Sequence, residues 1–193
     1  LCEYPYEGQI LVDGKELQNM PPSWQTDIIG YLGHDPELFN DSVENNVLMG
    51  ERKNAEDFLK MVCMAEEVNE MDVDLQTLVG NGGVRLSGGQ GKRLALARTL
   101  CHKKPVLVLD DPFSALDKST ERQIFANLKQ QTKDNIVFLI SHRLYLFPQM
   151  NQVIWMEDGK TVVGTHEELF VKVPEYKKLF TEEGGAESED RQK

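Results

Sequence analysis

The 193-residue chain has little cysteine and no long apolar run. Cys2, Cys63 and Cys101 form an odd, widely separated set without the spacing of a metal site, so we expect reduced thiols. No stretch approaches the roughly 18 apolar residues that a membrane-spanning helix needs, and the start of the chain does not resemble a signal peptide. We therefore expect any membrane association to come through a partner or through sequence upstream of Leu1.

An excess of positive charge is also missing, since the formal net charge is −11. A general grip on nucleic acid requires a basic face, so we expect no nucleic-acid partner. The length predicts one domain of ordinary size with an added subdomain and a real core.

A phosphate-binding P-loop is absent from the sequence as well. That motif has Gly, four residues, then Gly-Lys-Ser/Thr, so that backbone amides surround the β-phosphate and the lysine reaches the outer phosphate oxygens. Each Gly-Lys pair of the chain has another residue at the first glycine position: Gln9 before Gly14-Lys15, Leu86 before Gly91-Lys92, and Ile154 before Gly159-Lys160. The last pair lies in segment 156–160, which predicts a tight hairpin turn.

Two segments that are present suit phosphate and magnesium chemistry. The turn Leu-Ser-Gly-Gly-Gln at 86–90 opens a predicted helix, and its glycines let backbone N–H groups approach an anion beside the positive end of the helix dipole. The apolar run 106–109 ends in Asp110 and Asp111, and carboxylates at a strand end can hold Mg²⁺, which prefers oxygen ligands. A simple helix cap and an ordinary strand end are the alternatives.

In this order, the two segments resemble the signature motif and the Walker B strand of the ATP-binding-cassette (ABC) ATPases. Three further segments resemble motifs of the same family: 31–43 the Q-loop region in its exporter form, 114–117 the D-loop, and 141–142 the switch histidine. The resemblance covers residues 8 to about 180, and several motifs in the family's order argue against a chance agreement. Because the family's Walker A motif would come just before Leu1, the resemblance implies a chain truncated directly after it.

The resemblance implies a fold and a division into parts. The predicted fold class is α/β, a P-loop NTPase-like ABC core with a mostly parallel sheet, an α-helical signature subdomain and a small antiparallel β part, without the P-loop strand and helix. The predicted parts are a remnant of the β subdomain and core (1–39), the helical signature subdomain (40–100), the core with Walker B, D-loop, switch histidine, hairpin and helix (101–180), and a disordered acidic tail (181–193).

The residue patterns also predict individual elements. Continuous apolar runs at 106–110 and 136–141 predict parallel strands covered on both faces, and the amphipathic stretch 119–131 between them predicts a βαβ unit. We further expect a helix that Asn54 caps, a hairpin at 152–165 and a helix at 167–180. His102 and His166 have no motif around them and are expected at the surface.

The resemblance also implies a role for each matched residue. ATP and Mg²⁺ are the expected ligands. Leu86, Ser87, Gly88, Gly89 and Gln90 would contact the γ-phosphate of ATP held by an opposite cassette. Asp110 would coordinate Mg²⁺, Asp111 would be the general base, and His142 would contact the γ-phosphate and help to hold the attacking water. Asp117 would act at the dimer interface, where it could also be an ordinary helix cap, and His34 would contact Mg²⁺ and the membrane domain.

Two of these residues depart from the family's pattern. Hydrolytic sites usually have Glu where Asp111 stands, and displacing a catalytic group by about 1 Å can slow a reaction about 100-fold. The Q-loop usually has Gln where His34 stands, and an imidazole lacks the paired donor and acceptor of an amide. Both changes weaken the same half-site while 86–90 stays intact, as in the degenerate subunit of a heterodimeric exporter. Tolerated variation is the alternative, and the presence of His142 argues mildly for it.

The leading hypothesis is a nucleotide-binding domain of an ABC exporter, which couples ATP binding and hydrolysis to transport. Its expected partners are a second cassette, in a head-to-tail homo- or heterodimer, and a transmembrane domain on the same or an associated chain, at the cytoplasmic face of the cell membrane. The chain by itself is expected to be inactive because Walker A is missing. A regulatory nucleotide-binding module with little hydrolysis and a soluble, non-transport ABC ATPase are the alternatives.

Overall fold

The computed structural model describes residues 7–80 and 83–189, so Cys2 and the end of the predicted tail, 190–193, lie outside the described part. The chain forms two compact units, one ending at Ile140 and the other beginning at Ser141. The predicted α/β class is confirmed, since a parallel sheet, antiparallel strand pairs and helices are all present. The predicted boundaries after residues 39, 100 and 180 stay predictions.

The strands of the first unit are β1 (Leu11–Val12), β2 (Lys15–Glu16), β3 (Ile29–Leu32), β4 (Asp41–Ser42), β5 (Leu78–Val79), β6 (Val106–Asp110) and β7 (Ile136–Ile140). Its α-helices are α1 (Pro22–Ile28), α2 (Val43–Leu48), α3 (Ala55–Met61), α4 (Ala65–Asn69), α5 (Gly88–Cys101) and α6 (Lys118–Gln131). Short 3₁₀ turns lie at Leu17–Asn19 and Asp74–Gln76.

The central sheet has the strand order β3-β6-β7, and all three strands are parallel. Its register places Leu32 beside Leu109 and Asp110 beside Ile140. Helix α6 connects β6 to β7, which confirms the predicted βαβ unit, and its apolar stripe is buried at Ile124, Phe125 and Leu128. The carboxyl ends of the three strands therefore meet at one edge of the sheet.

One face of this sheet is covered and the other is not, within residues 7–80 and 83–189. Leu107 and Leu109 are fully buried, whereas the alternate residues of β7 (Ile136, Phe138 and Ile140) are 61%, 45% and 54% exposed. The prediction of cover on both faces was therefore wrong for the described residues. Continuous apolar runs indicate that a strand needs cover, but they do not show whether the same chain supplies it.

Helix α5 is the centre of the helical part of the first unit. It packs on α2, α3 and β3. Its residues Leu94, Ala95, Leu96 and Ala97 are all fully buried. The alanines carry side chains small enough for neighbouring backbones to approach closely, so α5 is held on several sides. The turn at 86–90, hereafter the signature turn, leads into this helix and is therefore held in place by its packing.

The second unit contains the hairpin β8 (Val153–Glu157) and β9 (Lys160–Gly164), followed by α7 (His166–Lys172) and α8 (Pro174–Glu189), with a 3₁₀ segment at Leu144–Gln149. Asp158 and Gly159 both have positive φ, 47° and 72°, as expected of a two-residue hairpin turn. The predicted hairpin is thus confirmed. Helix α8 continues to Glu189, over residues assigned by sequence to a disordered tail, and an i,i+4 pair of Lys178 and Glu182 supports its middle.

His102 and His166, expected at the surface, are each half-buried, so only part of each side chain is exposed. His166 packs against the rings of Tyr176 and Phe180, and its Nδ1 lies 2.8 Å from the Tyr176 hydroxyl. Burial, and to a lesser degree the charge of Glu167, raise the pKa of Tyr176 to about 12. The aromatic contacts come from α7 and α8 together, so no local pattern indicates them.

Candidate functional site

The signature turn is a capping box at the start of α5. Ser87 has extended backbone, and its Oγ accepts a hydrogen bond from Gln90 N at 3.2 Å. Gln90 Oε1 accepts one from Ser87 N at 2.9 Å. These reciprocal bonds satisfy two donors at the helix start and leave the Ser87 hydroxyl proton free to donate elsewhere. Ser87 and Gly88 are exposed at the positive end of α5, whereas Leu86 and Gln90 are half-buried and Gly89 is buried.

The two glycines of the turn have different surroundings. A Cβ at Gly89 would lie 2.8 Å from the Ala115 carbonyl oxygen and 3.4 Å from Leu116 Cδ2, so glycine is required there by packing. A Cβ at Gly88 would meet no heavy atom of the described chain within 4 Å. Packing within the chain therefore explains Gly89 and leaves Gly88 unexplained.

The signature helix also contacts the D-loop segment through a side chain. Lys92 Nζ donates a short hydrogen bond to Ser114 Oγ. Ser114 N in turn donates to the Asp111 carbonyl at 3.3 Å. Together with the contact of Gly89 on Ala115, these bonds join the signature turn to the segment that follows the acidic strand end.

Glu67 on α4 connects the turn to a buried arginine. Its Oε2 accepts from Gln90 Nε2 at 2.9 Å, and both of its oxygens accept from the Arg93 guanidinium, at 2.6 and 2.9 Å. Arg93 Nη1 also donates to the Cys63 carbonyl at 2.6 Å. Partial burial raises the pKa of Glu67, but the hydrogen bonds from Arg93 and Gln90 outweigh it, and the pKa lies below the usual value. Glu67 is therefore ionised at neutral pH.

Asp110 and Asp111 stand at the end of the central strand β6. Asp110 is half-buried, and Asp111 is buried with 9% exposure. Asp111 N donates to the Ile140 carbonyl at 2.8 Å, and its φ of 47° is a left-handed value that Asp tolerates better than most residues. The backbone at this position thus favours Asp independently of any catalytic role.

His34 follows the end of β3 at the same edge of the sheet as Asp110, and it is exposed. The loop after it is held by two side chains that the motifs did not indicate. The buried Asn46 accepts from Phe39 N at 2.9 Å and donates to the Phe39 carbonyl at 3.0 Å. Arg98 donates to the Glu37 carbonyl at 2.7 Å and lies over the Phe39 ring, 5.1 Å from its centroid.

A cleft of about 530 Å³ separates this loop from the signature turn. Its walls carry acidic residues on the loop side and basic residues on the other side. The lining residues include Asp35, Glu37, Leu38, Arg85, Leu86 and Lys92. The cleft thus combines apolar surface with charged groups of both signs, a lining that a peptide segment can match.

Asp117 and His142, the remaining predicted site residues, belong to different units. Asp117 caps α6 and accepts from Ser119 N at 2.9 Å and Thr120 N at 3.0 Å, so the predicted cap is confirmed. The hydrogen bonds from Thr120, above all, lower its pKa. His142 is exposed in the second unit, after Ser141, whose Oγ accepts from Arg143 N at 3.0 Å.

The donor set fits Mg²⁺ that arrives with a nucleotide. Among residues 7–80 and 83–189, no group of three or more His, Cys, Asp or Glu side chains is placed to hold a metal by itself. Nucleotide-bound Mg²⁺ usually takes one or two protein carboxylates and completes its shell with phosphates and waters. Asp110, with Asp111 beside it at the strand end, can supply that share.

The described helices include none long and apolar enough to cross a membrane.

Comparison with known proteins shows which family the chain resembles. The ABC transporter family model matches residues 2–114. The chain is 36% identical over 179 residues to the ATP-dependent lipid A-core flippase of Salmonella paratyphi A, covering 90% of the chain and 31% of the flippase. It is 35% identical over 170 residues to P-glycoprotein 14 of Caenorhabditis elegans, covering 86% of the chain and 13% of that protein. A bacterial Atm1-family ABC exporter with ATP bound has a similar structure, with a TM-score of 0.87 and 27% identity over 94% of this chain and 33% of that one.

The fold and the ordered motifs therefore define a nucleotide-binding domain, and the chain belongs to the ABC transporter family. It is similar to the exporter branch of that family. The chain spans about a third of the length of the flippases it matches. Domains of this family bind ATP, typically with Mg²⁺, and the family implies ATP hydrolysis.

Proposed function

We propose that this chain supplies half of each of two composite ATP sites in a head-to-tail pair of ABC cassettes. Ser87, Gly88 and Gly89, with Leu86 and Gln90 beside them, meet the γ-phosphate of ATP on the opposite cassette. Asp110, Asp111, His34 and His142 act on ATP at the chain's own site, and Asp117 lies at the interface between the cassettes.

The observation that carries this proposal is the open space at Gly88. Glycine is a weaker helix former than alanine, by up to about 1 kcal/mol in a helix interior, and Gly88 is the first residue of α5. No atom of the described chain occupies the space of its missing side chain. A ligand from outside the chain would explain why this residue is glycine, because without a side chain a phosphate can approach the backbone N–H groups at the positive end of α5.

At the chain's own site, each side chain has one task. Asp110 would hold Mg²⁺, which would neutralise charge on the phosphates. Asp111 is proposed as the general base for the attacking water, and His142 is proposed as a contact of the γ-phosphate. The Asp111 side chain is one methylene shorter than that of Glu, and its backbone is held in place because Asp111 N donates to the Ile140 carbonyl. Its carboxylate therefore does not reach the position of a Glu carboxylate. Proton transfer at this site is accordingly slow.

We infer from this shortfall that the chain is the degenerate-site subunit of a heterodimer. His34 supports the same inference, because a single imidazole nitrogen is a poor substitute for an amide oxygen near Mg²⁺. The intact turn at 86–90 then completes the productive site of the partner cassette. Hydrolysis at that site drives the cycle, and the chain's own site mainly holds nucleotide.

Two substitutions at Asp111 test this inference in the full-length protein. Asp111→Asn keeps the shape of the side chain and tolerates the left-handed backbone, but it cannot accept a proton. Because hydrolysis is proposed to occur at the partner's site, turnover per dimer should stay within about twofold. Asp111→Glu restores the longer acid and should raise turnover. A loss of about 100-fold in Asp111→Asn would show that this site carries the hydrolysis.

The cleft between the loop 35–38 and the signature turn is proposed to receive a segment of the membrane domain. Its charged walls and its place beside His34 would let nucleotide-driven motion of the turn reach that partner. The whole assembly would then transport a substrate, with this domain at the cytoplasmic face of the cell membrane. Charge-reversal of Arg85 in the cleft wall should uncouple transport from ATP hydrolysis, measured together in proteoliposomes.

The chain by itself is proposed to bind ATP very weakly and not to hydrolyse it, because no segment of it has the P-loop pattern. Isothermal titration of the chain with Mg-ATP measures this directly. A dissociation constant in the low micromolar range would contradict the proposal.

A regulatory gate is the second candidate, and the same departures at Asp111 and His34 favour it. In that case the parent protein clamps nucleotide without useful turnover. Vigorous ATPase activity of the homodimer excludes the gate, and activity only in a mixed dimer supports the degenerate-subunit proposal. A soluble ABC ATPase is the third candidate, and upstream sequence with several apolar spans of about 20 residues would exclude it.

A further inference from the structure

We propose that Glu67 is a positioning residue for the signature turn: acting through Gln90, it holds Ser87 in the orientation that meets the γ-phosphate of the opposite cassette. This inference rests on the proposed function. It concerns a residue outside all of the motifs, twenty positions before Ser87.

The amide of Gln90 is used at both ends. Its oxygen accepts from Ser87 N at 2.9 Å, and its nitrogen donates to Glu67 Oε2 at 2.9 Å. The reversed amide would place oxygen against the carboxylate and NH₂ against an N–H group, so both neighbours select one orientation. The last torsion of a Gln side chain is otherwise broad. Glu67 therefore adds a second restraint on the torsion that the capping box restrains at one end only.

Glu67 is in turn held by Arg93. The guanidinium contacts both carboxylate oxygens, at 2.6 and 2.9 Å, in the two-pronged geometry that is most specific for direction. Arg93 itself is 8% exposed, and its contact with the Cys63 carbonyl fixes it from another side. The carboxylate thus has little freedom to turn away from Gln90, although 38% of the Glu67 side chain is exposed.

The resulting path runs from Arg93 through Glu67 and Gln90 to Ser87. The first link ties α4 to α5 and has a structural effect whatever the function. The last two links end on the backbone N–H of the residue whose hydroxyl meets phosphate. A purely structural tie predicts loss of stability alone, whereas a positioning role predicts loss of turnover that depends on Gln90.

A double-mutant cycle in the full-length protein, paired with its partner cassette, separates the two. Glu67→Ala and Gln90→Ala should each lower kcat about tenfold, the usual effect of one charge-assisted hydrogen bond. KM for ATP should stay within about twofold, because ATP first binds the other cassette. The double variant should be no slower than Gln90→Ala, since Glu67 then has nothing to hold.

Three further variants complete the test. Glu66→Ala removes the same charge from an exposed neighbour on α4 and should leave kcat unchanged. Glu67→Gln keeps the size of the side chain in case Glu67→Ala fails to fold, and it should also lower kcat. If Glu67→Ala and Glu67→Gln stay fully active, or if the losses of the cycle multiply, the positioning role is refuted.

Ser87→Ala distinguishes failure of this inference from failure of the proposed function. Loss of turnover in Ser87→Ala with full activity in both Glu67 variants overturns the role of Glu67 alone. Full turnover in Ser87→Ala overturns the phosphate contact and, with it, the inference that depends on it.

Discussion

The two glycines of the signature turn give opposite predictions for stability and activity. Gly89→Ala would place a Cβ 2.8 Å from the Ala115 carbonyl oxygen, closer than real Cβ contacts come. Overpacking of this kind costs about 1–3 kcal/mol. For a domain of this size, that corresponds to a fall in Tm of about 2–12 °C.

Gly88→Ala meets no atom of the described chain, and alanine is the better helix former. Its stability should therefore stay equal or rise by up to about 1 kcal/mol. If a phosphate approaches the backbone at this position, the new methyl group displaces it by about 1 Å and turnover falls about 100-fold.

Thermal unfolding and steady-state ATPase assays on the two variants in the full-length protein check both halves of the prediction. The expected pattern is a less stable Gly89→Ala and a stable but inactive Gly88→Ala. A Gly88→Ala protein with wild-type turnover would refute the reasoning that a ligand explains Gly88. A Gly89→Ala protein with unchanged Tm would refute the packing of the turn on the D-loop segment.

Three other predictions concern stability and titration. Asn46→Ala leaves the backbone of the loop after His34 unsatisfied and should cost about 1–3 kcal/mol in urea unfolding. Folding lowers the pKa of Glu67. The ionised Glu67 therefore stabilises the fold above its unfolded pKa, and this contribution is lost as pH falls through the folded pKa. The difference in unfolding free energy between wild type and Glu67→Gln should accordingly shrink between neutral pH and pH 3. Burial raises the pKa of Tyr176 to about 12. In a spectrophotometric titration, wild type should therefore show one tyrosine that ionises at the highest pH, and this step should be missing in Tyr176→Phe.

Local rules accounted for much of the fold. Ser87 and Gln90 form a capping box, Asp117 caps α6, and Asp158-Gly159 closes a hairpin. Each of these contacts spans at most a few residues, so the residue types at fixed spacing are enough to predict it. The apolar runs at 106–110 and 136–141 likewise predicted parallel strands with a helix between them, as β6, α6 and β7 show.

The order of the motifs along the chain identified the family, and the comparisons confirmed it. The roles of the individual site residues stay predictions. Asp111 shows why, since its left-handed backbone favours Asp whether or not the site is degenerate. A motif specifies which residue type stands at a position, but it does not separate the demands of chemistry from those of the backbone.

Only the tertiary structure determined the contacts between segments that are distant in the sequence. Glu67 and Arg93 lie on different helices, and Gly89 packs on Ala115 beyond the next strand. These contacts depend on how α4, α5 and β6 pack. The packing of separate elements is set by shape and burial over the whole unit, which no local spacing encodes.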